Sequence, residues 1–273
     1  MVQTIIEMMS HVFMQRAVLV GSLVSLCAAL LGVSLVLKRY SMIGDGLSHV
    51  GFGILAVATV FGFASPLYIA IPGVAISAIV LLKVGNNSII KSDSAIALIA
   101  SSALAIGVAV TSATTGLNTD ICNFMFGSIL AMSISDVYLS IAVSIIVAIL
   151  FIIYYRKLFL ITFDEEFATA SGLKAQRYTN LIAILTALII VVGMRMMGTM
   201  LISSIIIFPA LTSMRLFKSF KKVIISSGII SVVSFLIGIY LSYIYNISTG
   251  AMIVIVNLVL FIIFTILDKI VHE

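Results

Sequence analysis

From residue 17 to residue 267 the chain is a succession of apolar stretches, with no long polar segment between them. A helix rises about 1.5 Å per residue, so about 20 apolar residues match a hydrocarbon core ~30 Å thick. A backbone in lipid must satisfy its own hydrogen bonds, which directs such stretches into helices. Windows of about 19 residues place spans near 17–37, 44–62, 66–83, 94–115, 136–155, 178–193, 198–214, 223–243 and 250–267. The expected fold is therefore all-α, a polytopic membrane protein of nine transmembrane helices, or eight if residues 191–200 form one broken helix with a re-entrant piece. Only 9% of the residues are charged, against about one quarter in a soluble domain, so residues 1–273 read as one integral membrane domain without a soluble catalytic module.

The charges orient these spans. With the N-terminus outside, 13 of the 15 Lys and Arg residues fall on the inner side, leaving Arg16 and Arg195 outside. That is the positive-inside pattern, and it explains the net charge of +5 without a nucleic-acid partner. The first apolar run leads into Lys38-Arg39 rather than a small-residue cleavage site, so it is expected to be retained. Cys27 falls in a span and Cys122 in a loop, which makes neither a disulfide framework nor a Cys/His metal motif. The outer loop at residues 116–130 is semi-apolar, suited to a short helix dipping into the protein.

Within the second span lies "MIGDGLSHVGFG", residues 42–53, where Asp45 and His49 stand among aliphatic, small and glycine residues. At i and i+4 they share one helix face, about 6 Å apart along the axis. Counting helical rises from Arg39 puts His49 about 15 Å inside the inner boundary, near the midplane, where a carboxylate costs about 2.5 kcal/mol or more without a partner. The residue types leave three readings open: a neutral Asp–His hydrogen bond, a proton relay, or half of a divalent-metal site. A two-fold dimer would complete the last with a second Asp45 and His49. Ser48 could support a ligand but reads first as a small residue at a helix contact, and the nearby glycines are expected to let helices approach closely. Met194, Met196, Met197 and Met200 read as irregular core packing ahead of a soft-metal site.

On the inner side, "FDEEFATASGLKAQ", residues 163–176, is strongly polar. Asp164 suits an N-cap, Glu165 and Glu166 the positive first turn, and Gly172 a left-handed helix terminus, so a short surface helix is expected.

These features carry a resemblance. Glu166-Phe167-Ala168, three residues and Gly172 resemble the Glu-Ala-Ala-xxx-Gly loop by which ABC importer permeases dock their ATPase, with Phe167 in place of the middle alanine. Together with "FMQRA" at 13–17, "GDGLSH" at 44–49, "FGSILAMS" at 126–133 and "GTMLISSIIIFPALTS" at 198–213, they identify the chain as similar, nearly end to end, to the zinc/manganese-type ABC transporter permeases, the ABC-3 family. The resemblance implies an ABC importer permease fold in a prokaryotic cell membrane. It implies a homodimeric pore in lipid, two cytoplasmic ATPase subunits, an extracytoplasmic metal-binding protein, and no permanently bound cofactor. Asp45 and His49 match the family's Asp-x-x-Ser-His metal-pathway motif. Asp164, Glu165, Glu166, Ala168 and Gly172 fall in the ATPase-coupling segment, about residues 164–174.

Consistently, the chain has no GxxxxGK[ST] phosphate loop, so it is not itself expected to hydrolyse ATP. Manganese-type members of that family often continue the motif as Val-Leu-Pro-Gly, whereas this chain reads Val50-Gly51-Phe52-Gly53. That difference and a four-ligand Asp/His set favour zinc as the cargo, with manganese or iron as alternatives. An ion-coupled secondary metal transporter is the competitor from another class. An intramembrane hydrolase lacks its residues, since Asp45 is the only acidic side chain deep in a span.

Overall fold

The apolar stretches fold as helices from end to end of a computed structural model that describes residues 2–63, 66–87, 92–114, 127 and 133–272. The helices are α1 (Val2–Ser10), α2 (Val12–Leu37), α3 (Met42–Val60), α4 (Pro66–Asn87), α5 (Ser92–Ser112), α6 (Ile134–Phe163), α7 (Glu165–Ala170), α8 (Ala175–Met197), α9 (Thr199–Leu216), α10 (Phe220–Tyr245) and α11 (Thr249–His272). Among the described residues nine are long and apolar enough to cross a membrane, α2 to α6 and α8 to α11. The expected dipping helix at 116–130 lies outside the described residues except for Gly127, as do Cys122 and most of "FGSILAMS".

The chain breaks at Gly198, between two helices that are each long and apolar enough to cross a membrane. This residue, with φ 83°, separates α8 from α9. Gly193, five residues before the break, faces the Ile202 side chain four residues after it. In one continuous helix they would be about 13 Å apart, so the chain folds back on itself there. A left-handed φ of this kind favours glycine.

Burial sorts the spans into layers. About two thirds or more of α2, α3 and α8 lies inside the protein, against about one third of α4, α5, α6 and α11. α2 packs on α6, α8, α9 and α10, and α8 on α2, α3, α4, α6 and α9. The outer helices turn Ile145, Ile149, Ile152 and Ile262 outward, where lipid rather than water is the natural solvent. Polar side chains join the inner layer: Ser231 donates to the Ser25 carbonyl at 2.8 Å, and the Cys27 thiol to the Ser144 carbonyl at 3.3 Å. Such bonds hold helices together where lipid offers no hydrophobic driving force between them.

The glycines of α3 seat it in its own bundle. Gly44 faces Ile206, Gly46 faces Ile96, Gly51 faces Met194, and a side chain at Gly53 would meet the Ala103 carbonyl oxygen at 2.6 Å. The expectation of close helix packing holds. The partners are α9, α5 and α8 of the same chain.

Candidate metal half-site and inner coupling segment

α3 begins at Met42 after a turn at residues 38–41, so the helical count to Asp45 and His49 starts there and not at Arg39. His49 stands seven rises into α3, about 10 Å, rather than 15 Å. Asp45 sits in the first turn, where the free N–H groups and the helix dipole favour a carboxylate by about 0.3–1 kcal/mol. The count from Arg39 treated residues 39–41, which lie in the turn, as helix. The apolar α3 thus starts with its one acid where a helix tolerates it best.

The two side chains emerge on one strip of α3. Asp45 is 42% and His49 22% exposed, and Met42, three residues before Asp45, is exposed as well. Every residue from Gly46 to Ser48 and from Val50 to Gly53 is buried. The His49 Nε2 lies 3.7 Å from Asp45 Oδ2, beyond hydrogen-bond length. His49 Nδ1 is buried without a hydrogen-bond partner. Nε2 and the carboxylate therefore face a common space without being closed on each other. Among the described residues no third His, Cys, Asp or Glu joins them. One copy thus offers an oxygen and a nitrogen donor, too few for the four ligands of zinc or the about six of manganese. Ser48, considered as support for a ligand, instead donates to the Asp45 carbonyl at 2.7 Å, a local bond along the helix. Met194, Met196 and Met197 are buried and Met200 is exposed; Met194 packs on Gly51.

The acidic segment folds as its residues dictate. Asp164 Oδ1 accepts the Phe167 N–H at 2.8 Å, capping α7. At the other end Leu173 N–H donates to the Ala168 carbonyl and Gly172 N–H to the Thr169 carbonyl, both at 3.0 Å, with Gly172 at φ 85°. That is a Schellman terminus. Ala168 is buried, while Glu166 and Phe167 stand exposed on the other face. The helix is shorter than the 164–174 segment, because Asp164 is a cap and residues 171–174 are its terminus and connector.

Two ion pairs escaped the sequence reading. Lys38 Nζ donates to Glu165 Oε2 at 2.8 Å and to Thr179 Oγ1 at 2.9 Å, tying the α2–α3 turn to α7 and α8. Arg195, at the end of α8, donates to Asp136 Oδ1 at 3.2 Å. Asp136 also closes a capping box with Ser133 at the start of α6. Each pair joins residues that the charge pattern places on one side of the membrane, inner for the first and outer for the second. That shared side was the available signal; which basic residue meets which acid depends on packing.

The chain was compared with known proteins. Residues 10–268 match the model of the ABC 3 transport family. A manganese transport system membrane protein, MntC of Halalkalibacterium halodurans, is 29% identical over 93% of this chain and 87% of its own length. A manganese import system permease protein, ScaB of Streptococcus gordonii, is 32% identical over 92% and 90%. A probable iron transport system membrane protein of Haemophilus influenzae is 34% identical over 95% of each. The solved structure of PsaBC from Streptococcus pneumoniae in complex with Fab has a chain of the same fold, with a TM-score of 0.86 and 29% identity over 96% of this chain and 94% of that one. The chain belongs to the ABC 3 transport family, as a multi-pass permease subunit of the prokaryotic cell membrane whose ATPase is a separate polypeptide.

Proposed function

We propose that this permease, acting over residues 1–273 as one domain and pairing with a second copy, carries manganese into the cytoplasm. The observation that carries the reading is the open Asp45–His49 pair on the exposed strip of α3. It is half of a site that a two-fold axis would complete with two carboxylates and two imidazoles. Carboxylates and water suit manganese, and the exposed Asp45 leaves room for water ligands. The names of the relatives MntC and ScaB also support manganese over the zinc that the motif's missing proline favours. An extracytoplasmic metal-binding protein would deliver the ion from outside.

The remaining parts take their roles from this assignment. Asp164, Glu165, Glu166, Ala168 and Gly172 form the segment on which an ATPase subunit docks, with Glu166 and Phe167 on the exposed face. Closure of the ATPase would move α7 and switch the paired α3 helices between outward-open and inward-open arrangements. The ion is the cargo, held by Asp45 oxygen and His49 Nε2 and released when the two strips separate.

The test is uptake of radiolabelled manganese, zinc and iron in a strain with this system as its only importer. Manganese is expected to be taken up preferentially. Asp45→Ala and His49→Ala should each cut that uptake by at least about 100-fold, since even a ligand's supporting partner costs 10–100-fold. Preferential zinc uptake would overturn the cargo assignment, and normal uptake in both variants would overturn the site.

A further inference from the structure

The inner face carries a buried cation apart from the metal half-site and the exposed face of α7. Lys38 has a side chain only 7% exposed, yet it ends α2 at the level of the polar inner turns. Its ammonium meets Glu165, the first residue of α7, and Thr179 on α8. An ammonium this little exposed favours keeping such partners, although the Glu165 carboxylate itself is 40% exposed. Movement of Glu165 therefore draws Lys38 with it.

The turn after Lys38 is stiff. Arg39 N–H donates to the Val36 carbonyl at 3.0 Å and Tyr40 N–H to the Leu35 carbonyl at 2.8 Å, a second Schellman terminus, with Arg39 at φ 61° where glycine is usual. Ile43 N–H then bonds to the Tyr40 carbonyl at 3.0 Å. The path from Lys38 to the first turn of α3, which holds Asp45, is short and hydrogen-bonded at Arg39, Tyr40 and Ile43. It has no slack loop to absorb a displacement.

We propose that Lys38 is a positioning residue: it transmits movement of α7 to the helix that carries Asp45 and His49, so that ATP-driven closure is converted into rearrangement of the metal site. This rests on the reading that α7 docks the ATPase. Lys38 donates its hydrogen bonds to Glu165 and Thr179. It acts through Glu165 on one side and the α2–α3 turn on the other.

The experiment uses the complete importer in lipid vesicles, with radiolabelled manganese as the probe and zinc in parallel vesicles, and measures ions moved per ATP hydrolysed. Lys38→Met should keep ATP hydrolysis but lower that ratio by about 10-fold, while Lys38→Arg, which retains a buried cation for Glu165, should restore most of it. A Lys38→Met ratio within two-fold of the parent would overturn the proposal. So would a parallel loss of hydrolysis and transport in both variants, which a purely structural role gives. If Lys38→Met does not assemble, Thr179→Val decides: removing one of the two acceptors should lower the ratio about 3-fold, and an unchanged ratio overturns the idea. Cross-linking of Phe167→Cys to the ATPase separates the two layers. Absence of cross-links would sink the docking of α7, whereas cross-links with an unchanged ratio would sink only the role of Lys38.

Discussion

Two helix termini of one geometry hold different residues. The Schellman end of α7 has Gly172 at φ 85°, and that of α2 has Arg39 at φ 61°. Left-handed backbone costs an L-residue with a Cβ about 1–2 kcal/mol. A side chain at Gly172 would meet nothing within 4 Å, so Gly172→Ala isolates that backbone cost. The expected result is faster hydrogen exchange at the Leu173 amide, by about 5–30-fold, the factor that 1–2 kcal/mol represents. Arg39→Gly should act in the opposite sense, slowing exchange at the Tyr40 amide by about 5-fold. Gly172 was readable as a helix end because glycine announces this conformation. Arg39 was not, because arginine at a membrane boundary already has a sufficient reason in the positive-inside rule. Asp45 and His49 stood out for the converse reason, as polar residues in an apolar span have few bland explanations.

At the scale of elements, hydropathy placed eight of the nine candidate spans to within about five residues at each end, since length and apolarity are local properties, but ended the fifth at 155 where α6 runs on to Phe163. What it left open were relations between helices. Gly44, Gly46, Gly51 and Gly53 signalled close packing, but a spacing does not say which helix approaches. At Gly53 the neighbour is the Ala103 carbonyl, 2.6 Å from where a Cβ would stand, and backbone cannot rotate aside as a side chain can. Gly53→Ala should therefore push α3 from α5 at a cost of about 1–3 kcal/mol, as overpacking does. Thermal unfolding in detergent would show it; an unchanged midpoint would mean that the two helices yield. The outer ion pair is the second such relation. Arg195→Gln leaves Asp136, only 11% exposed, with its capping bonds but without its cation. A bond to a charged partner contributes about 1.5–3 kcal/mol, so the variant should unfold earlier by a comparable amount, with Arg195→Lys closer to the parent.

Across the whole molecule, the layering by burial separates what one chain completes from what it leaves open. The buried faces of α2, α3 and α8 pack on neighbours in the same chain, and the outer helices present apolar faces suited to lipid. Asp45 and His49 belong to neither class, being polar, partly exposed and, among the described residues, without a third metal-ligating side chain. If a second copy supplies the missing ligands, one ion binds per two chains and each copy's Asp45 matters to the same ion. Co-expression of parent and Asp45→Ala chains with different affinity tags, followed by purification on both, isolates the mixed pair. A shared site predicts that this pair loses tight manganese binding as a unit, with affinity down by about 10–100-fold or more, because the remaining Asp and two His must hold the ion alone. Independent sites predict instead that the mixed pair keeps half of the parent's binding capacity at unchanged affinity. The two outcomes differ in the shape of the titration as well as its endpoint, so metal content by mass spectrometry together with a binding isotherm distinguishes a pore built on the symmetry axis from two pathways side by side.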